Sequence, residues 1–291
     1  MTAVALVALT TCAAGCGDGG TAGDGVSTAV TSAAGGTGTP APAGTTATGA
    51  GTTTAGAAGS VGTATAGAPG TAAAPLAGRT VVLDPGHNGG NAANPSVIGR
   101  HVPAGRGRTK PCNTTGTETN AGYPEHAFTW DVAQRVRDLL VARGAAVRLT
   151  RQDDRGVGPC VDQRAAAGNG PDVDAVVSIH ADGSGAGARG FHVAYSDPPL
   201  NPAQAEQAPA LARALRDAMR AAGFPDADYI GAEGLDGRDD LGGLNLATRP
   251  AVLVECANLR NAAEAALASS PEGRARYAAA IAEGITRWLT R

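Results

Sequence analysis

The chain has 291 residues, 43% hydrophobic, 3% aromatic and 17% charged, with a formal charge of −3. All 23 of its Lys and Arg residues, Lys110 being the single lysine, lie at or beyond Arg79, together with 24 of its 26 acidic residues. So near-neutral a region lacks the basic footprint of a nucleic-acid binder.

Residues 1–16, "MTAVALVALTTCAAGC", form an apolar run too short to span a bilayer. It resembles the apolar part of a secretory signal without the basic start. "AAGC" resembles a lipobox in which Cys16 is acylated and becomes the first mature residue; plain secretion with cleavage nearby is the alternative. Either way the protein is expected to be exported to the periplasmic or cell-wall space, with lipid anchoring to the outer face of the membrane in the first case. Residues 17–78 contain two charged residues, Asp18 and Asp24, among Gly, Ala, Thr, Ser and Pro. Their few larger apolar side chains cannot offset the entropy of ordering the segment, which predicts a disordered linker reaching roughly 40 Å.

Residues 79–291 suffice for one core, and nothing in them calls for a second domain. "RTVVLD" is a short buried strand, followed by a Gly/Asn/Pro/Thr-rich loop from His87 to about Gly122. "YPEHAFTWDVAQRVRDLLVARG" is a helix with Phe128, Val132, Val136, Leu139 and Leu140 on one stripe, stopped by Gly144. "AAVRLTR" is a strand, "CVDQRAAAGN" a short helix, "DAVVSIHAD" a buried strand and "GFHVAYS" another. Residues 203–222 form an amphipathic helix carrying Ala208, Leu211, Leu215 and Ala218. "RPAVLVECAN" is the fifth strand, and a last helix turns Tyr277, Ile281, Ile285 and Trp288 inward. This alternation predicts a three-layer α/β/α domain with a mostly parallel twisted sheet. Cys112 and Cys160 both follow prolines in loop-like sequence, which predicts a disulfide between them; Cys256, ending a strand, is expected to be a buried free thiol.

The chemistry gathers at strand ends. His87 follows the first strand, His180 ends the third and Glu255 ends the fifth, and in open α/β sheets ligands bind outside the carboxyl ends of the strands. Glu125 shares the inward stripe of Phe128, Val132 and Val136 at the first turn of its helix. Such a carboxylate needs compensation, either as an N-terminal capping group or from a bound metal. Two histidines and a carboxylate with one open position make a catalytic zinc arrangement. His126 is expected to face outward with Trp130, while His101 and His192 have no assigned role. Glu118 is the rival ligand but lacks the helix.

Taken together, "VVLDPGHNGG", "PEHAFTWDVAQRVRDLLVARGAAVRLTRQDD", "DQRAAAGN", "AVVSIHAD" and "PAVLVECANLRN" resemble the zinc-dependent N-acetylmuramoyl-L-alanine amidases of the Amidase_3 type, in order from about Arg79 to the C-terminus. The resemblance implies a Zn²⁺ held by His87, Glu125 and His180, and Glu255 as catalytic base and then acid. It implies hydrolysis of the amide between N-acetylmuramic acid and L-alanine in peptidoglycan or muropeptides. A zinc peptidase acting on the stem peptide and a non-catalytic wall-binding module are the alternatives. Asp84, Arg164 and Asn258 are expected to bind substrate or to support the site from behind. Regulated members carry an inhibitory helix for which residues 181–203 have little room, so activity without an activator is expected, from a monomer.

Overall fold

Val81 and Leu83 are wholly buried and Val82 nearly so, as expected of a strand covered on both faces. They belong to β1 (Thr80–Pro85) in a computed structural model of the chain, which describes residues 74–291. In chain order there follow α1 (Pro95–Ile98), a hairpin of β2 (His101–Pro103) and β3 (Thr109–Pro111), α2 (Glu125–Ala142), β4 (Ala146–Leu149), α3 (Val161–Gly168) and β5 (Ala175–Asp182). Then come β6 (His192–Ser196), α4 (Ala208–Ala221) entered through one π-helical turn, β7 (Leu235–Arg238), α5 (Gly242–Asn245), β8 (Ala251–Asn258), α6 (Ala262–Ser269) and α7 (Pro271–Leu289).

The main sheet has six strands in the order β4-β1-β5-β8-β6-β7. All neighbours run parallel except β6 and β8, so the mostly parallel three-layer architecture is as the sequence implies. One face carries α2, α4 and α7 over a core that includes Phe128, Val132, Val136, Leu140, Leu211, Leu215 and Ile281, all wholly buried. Tyr277 stacks on Phe224 at 4.3 Å between centroids and meets Phe128 edge-on at 5.6 Å. The opposite face is thinner, with α3 and α5 over Val82, Val176, Ala194 and Ala251. Because side chains alternate along a strand, Asp84, Ser178, His180, Glu255 and His192 all emerge on this thinner face.

The sequence does not announce the hairpin or β7, whose "LDGR" has no alternating pattern and lies at the sheet edge. Leu76, assigned to the linker by composition, is fully buried, so the folded unit reaches back to it. The signal-like segment, Cys16 and nearly all of the linker lie outside the described residues. Cys112 and Cys160 form the expected disulfide, which ties the end of the hairpin to the start of α3, and Cys256 is buried and free.

Candidate active site

At the end of β1 the chain turns through Pro85 and Gly86 into His87, whose φ of 59° is a left-handed conformation that few non-glycine residues adopt. A Cβ on Gly86 would lie 2.3 Å from the His180 ring, so only glycine lets β1 pass that imidazole. Two buried arginines hold this turn. Arg164 donates to the carbonyls of Pro85 (2.7 Å) and His87 (2.8 Å) and to Asp84 Oδ1 (2.7 Å). Arg151 donates to the carbonyls of Pro85 (3.0 Å) and His126 (2.9 Å). The turn bearing one imidazole is thereby locked to the helix residue that follows Glu125. Thr150 and Ser178 complete the Asp84 carboxylate at 2.6 and 2.7 Å. Burial alone would raise the pKa of Asp84, but Arg164 and these hydroxyls hold it down at about 2.

Glu125 opens α2 with its carboxylate buried between the two imidazoles. Its Oε2 is 3.1 Å from His87 Nε2, and its Oε1 is 3.0 Å from His180 Nδ1. The backbone amides of Thr117 and Ala181 donate to the same oxygens at 2.9 and 3.1 Å. Burial opposes the charge, yet the attraction and hydrogen bonds of the two histidines keep the carboxyl far below the usual range. His87 shows the converse: burial lowers its basicity, and Glu125 more than restores it. The Thr114 carbonyl, 3.1 Å from His87 Nδ1, places the ring hydrogen there and frees Nε2 as a lone-pair donor. One ligand atom from each of His87, Glu125 and His180 lies within 4.8 Å of the others. Two neutral-capable imidazoles and an ionised carboxylate converging in this way fit a divalent zinc-like ion.

Glu255 lies beside His180 in the sheet register, on the side away from β1. Its Oε2 is buried without a partner, and burial first, then Glu125 and Asp182, push its pKa well above the usual value. It stands against the donor set while making none of the bonds that would silence it.

The remaining predicted residues are brought near but not into the cleft. Arg164 is buried and donates to Asp84 and to the carbonyls of Pro85, His87 and Pro159. Asn258 is also used up: its side chain accepts from Ser184 and Arg260 amides and donates to the Gly185 and Ala188 carbonyls, which shapes the loop after β5. Glu118 is exposed, outside the donor set. His126 is half-buried and not free on the surface; it meets Asp154 at 2.8 Å where the loop after β4 folds over the start of α2. Sequence reasoning gives Arg151 no role; its one signal is a basic residue two positions past the end of β4 in "RLTRQDD".

A family model described as N-acetylmuramoyl-L-alanine amidase matches residues 81–287. The N-acetylmuramoyl-L-alanine amidase Rv3717 of Mycobacterium tuberculosis is 52% identical over 216 residues, covering 74% of this chain and 88% of that protein. The crystal structure of the N-acetylmuramyl-L-alanine amidase Ami1 from Mycobacterium smegmatis is 53% identical, with a TM-score of 0.71 over 74% of this chain and 98% of that one. The amidase AmiC2 of Nostoc punctiforme, 24% identical with a TM-score of 0.56 over 74% of this chain and 99% of that one, shares the fold.

Proposed function

The chain belongs to the N-acetylmuramoyl-L-alanine amidase family, and from that premise we propose that it hydrolyses the amide joining N-acetylmuramic acid to L-alanine in peptidoglycan, with zinc as the metal. The observation that carries this is the converging His87, Glu125 and His180 donor set with the unpartnered Glu255 carboxyl beside it. Zinc held by those three residues would lower the pKa of a water toward neutrality and polarise the scissile carbonyl.

The protein's own residues supply the rest. Glu255 removes the proton of the attacking water and delivers it to the leaving alanine nitrogen, as general base and then acid. Arg151 and Arg164 keep the His87 turn from relaxing, so the site does not reorganise during turnover. A binding module would have no use for an unpaired buried carboxyl next to its metal site, which favours catalysis.

Between β5 and β6 the nine residues 183–191 hold no helix, which supports activity without an activator. The substrate lies outside the cytoplasmic membrane, so the protein is exported, and acylation of Cys16 would tether it there. No helix among the described residues is long and apolar enough to cross a membrane. The test is a chelation and add-back assay on a muramyl peptide. New alanine amino termini should appear with zinc, vanish with chelator and return on re-addition. Amino termini that survive complete metal removal would overturn the zinc assignment.

A further inference from the structure

Two residues of β8 are not buried, Leu253 and Glu255, and they lie on the same face of the strand. β8 is a central strand, between β5 and β6, where both faces are normally covered. On this face Val176, Ala194 and Ala251 are buried, whereas Leu253 is left partly open. A trough therefore runs from Glu255 down β8, and Leu253, about 7 Å below the glutamate, is its apolar floor.

The trough leads toward a cationic corner. Leu241, also partly open, packs with Leu253 against the same cluster and stands at the start of α5. The next residue, Gly242, meets Lys110 of β3: a Cβ on that glycine would lie 3.2 Å from Lys110 Cδ. The Lys110 amine is half-buried and makes one bond, at 3.3 Å, to the Asp240 carbonyl. Among the described residues it forms no ion pair, so most of its donor capacity is unused. The neighbouring carboxylates are already engaged: Arg238 takes Asp236 at 3.2 Å and Asp240 at 2.8 Å, and Arg108 takes Asp239 at 3.0 Å. Arg106 bonds only neutral groups, Asn245, Ser196 and the Pro198 carbonyl. The corner thus sets four cations against three carboxylates. Burial pushes the Lys110 amine down, Asp240 opposes this and Arg238 adds to it. A desolvated ammonium with only a carbonyl for partner is completed by a carboxylate.

We propose that Lys110 is a specificity-determining residue: it binds a carboxylate on the residue that follows L-alanine in the leaving peptide, with Leu253 as the floor beneath that residue. Glu255 hands its proton to the alanine nitrogen, so the leaving peptide starts above β8. An extended peptide advances about 3.4 Å per residue, so its second residue reaches the level of Leu253. An apolar floor with one polar anchor at its end is the usual construction of a ligand groove. The inference rests on Glu255 being the acid–base group of the reaction proposed above.

The test uses the full zinc-loaded chain and two muramyl tripeptides. Their second residue is a γ-linked D-glutamate whose α-carboxyl is free in one and a carboxamide in the other. Wild type should cut the free acid with about 10-fold higher kcat/KM, the difference lying in KM. Lys110→Met should raise KM for the free acid by about 10-fold at unchanged kcat, and shift the carboxamide by less than about twofold. Equal cleavage of the two forms by wild type, or a preference for the carboxamide, would overturn the proposal without any variant having to fold. So would a Lys110→Met protein that slows both forms alike, which would make Lys110 a strut of the hairpin, or one that changes neither. A wild-type protein that releases no alanine amine from either form would instead defeat the functional reading itself, so the two failures are distinguishable.

Discussion

At the β1 end of the rim, Asp84 has both carboxylate oxygens bonded, and Arg151 and Arg164 spend their donors on backbone carbonyls. At the β8–β6 end, Glu255 Oε2 and His192 Nδ1 are buried without partners. The difference teaches where each half of the reaction is prepared. Metal donors must be rigid before the ion arrives, so their surroundings are saturated. A proton carrier must keep a free lone pair, so its surroundings are left open.

The largest effect should come from disarming the open side alone. Glu255→Gln should lower turnover by about 10³-fold, since a positioned acid–base group contributes on that order. Zinc content, measured by elemental analysis, should stay at the wild-type level; its loss would show that the two sides are not separable. Reduction of Cys112–Cys160, or its replacement by serines, should cost about 4 kcal/mol in denaturant unfolding, from the entropy of a loop spanning 48 residues. Two residues past Cys112, the Thr114 carbonyl orients His87, so zinc affinity should fall as well.

Smaller effects sharpen the saturated side. Arg164→Met should cost about 3 kcal/mol, because it strands the Asp84 carboxylate in a part-buried site and frees the His87 carbonyl. The last prediction is a pH dependence. Asp84 has a folded pKa of about 2 against 3.8 for the ordinary group. Its contribution, about 2 kcal/mol, is therefore fully present above pH 4 and lost as pH falls toward 2. Unfolding of wild type and Asp84→Asn at stepped pH should show their difference shrinking over that window. A constant difference would mean that the Asp84 charge is not what matters.

Much of the site was legible because strand ends are legible: "VVLDPGH", "SIHAD" and "VLVEC" each deliver one group to the same rim. The inward place of Glu125 followed from helical periodicity, and the disulfide from two prolines beside cysteines. What the sequence hid depends on distant chain. His126 lies on the outward side of its helix by periodicity, yet the loop after β4 covers it. The reversed direction of β6 follows from the nine-residue connection 183–191, which holds no crossover helix, and not from its own residues. Arg151 looks like any basic residue after a strand; besides Asp154, its partners include the carbonyls of Pro85 and His126, which carry no sequence signal.

The most direct test of the central claim is mass spectrometry of the products from a muramyl pentapeptide incubated with zinc-loaded protein in ¹⁸O-water. The account predicts ¹⁸O in the new lactyl carboxyl of muramic acid and an unlabelled, intact peptide beginning with L-alanine. Label in a peptide carboxyl, with a residue lost from its far end, would contradict it and make the same metal site that of a peptidase.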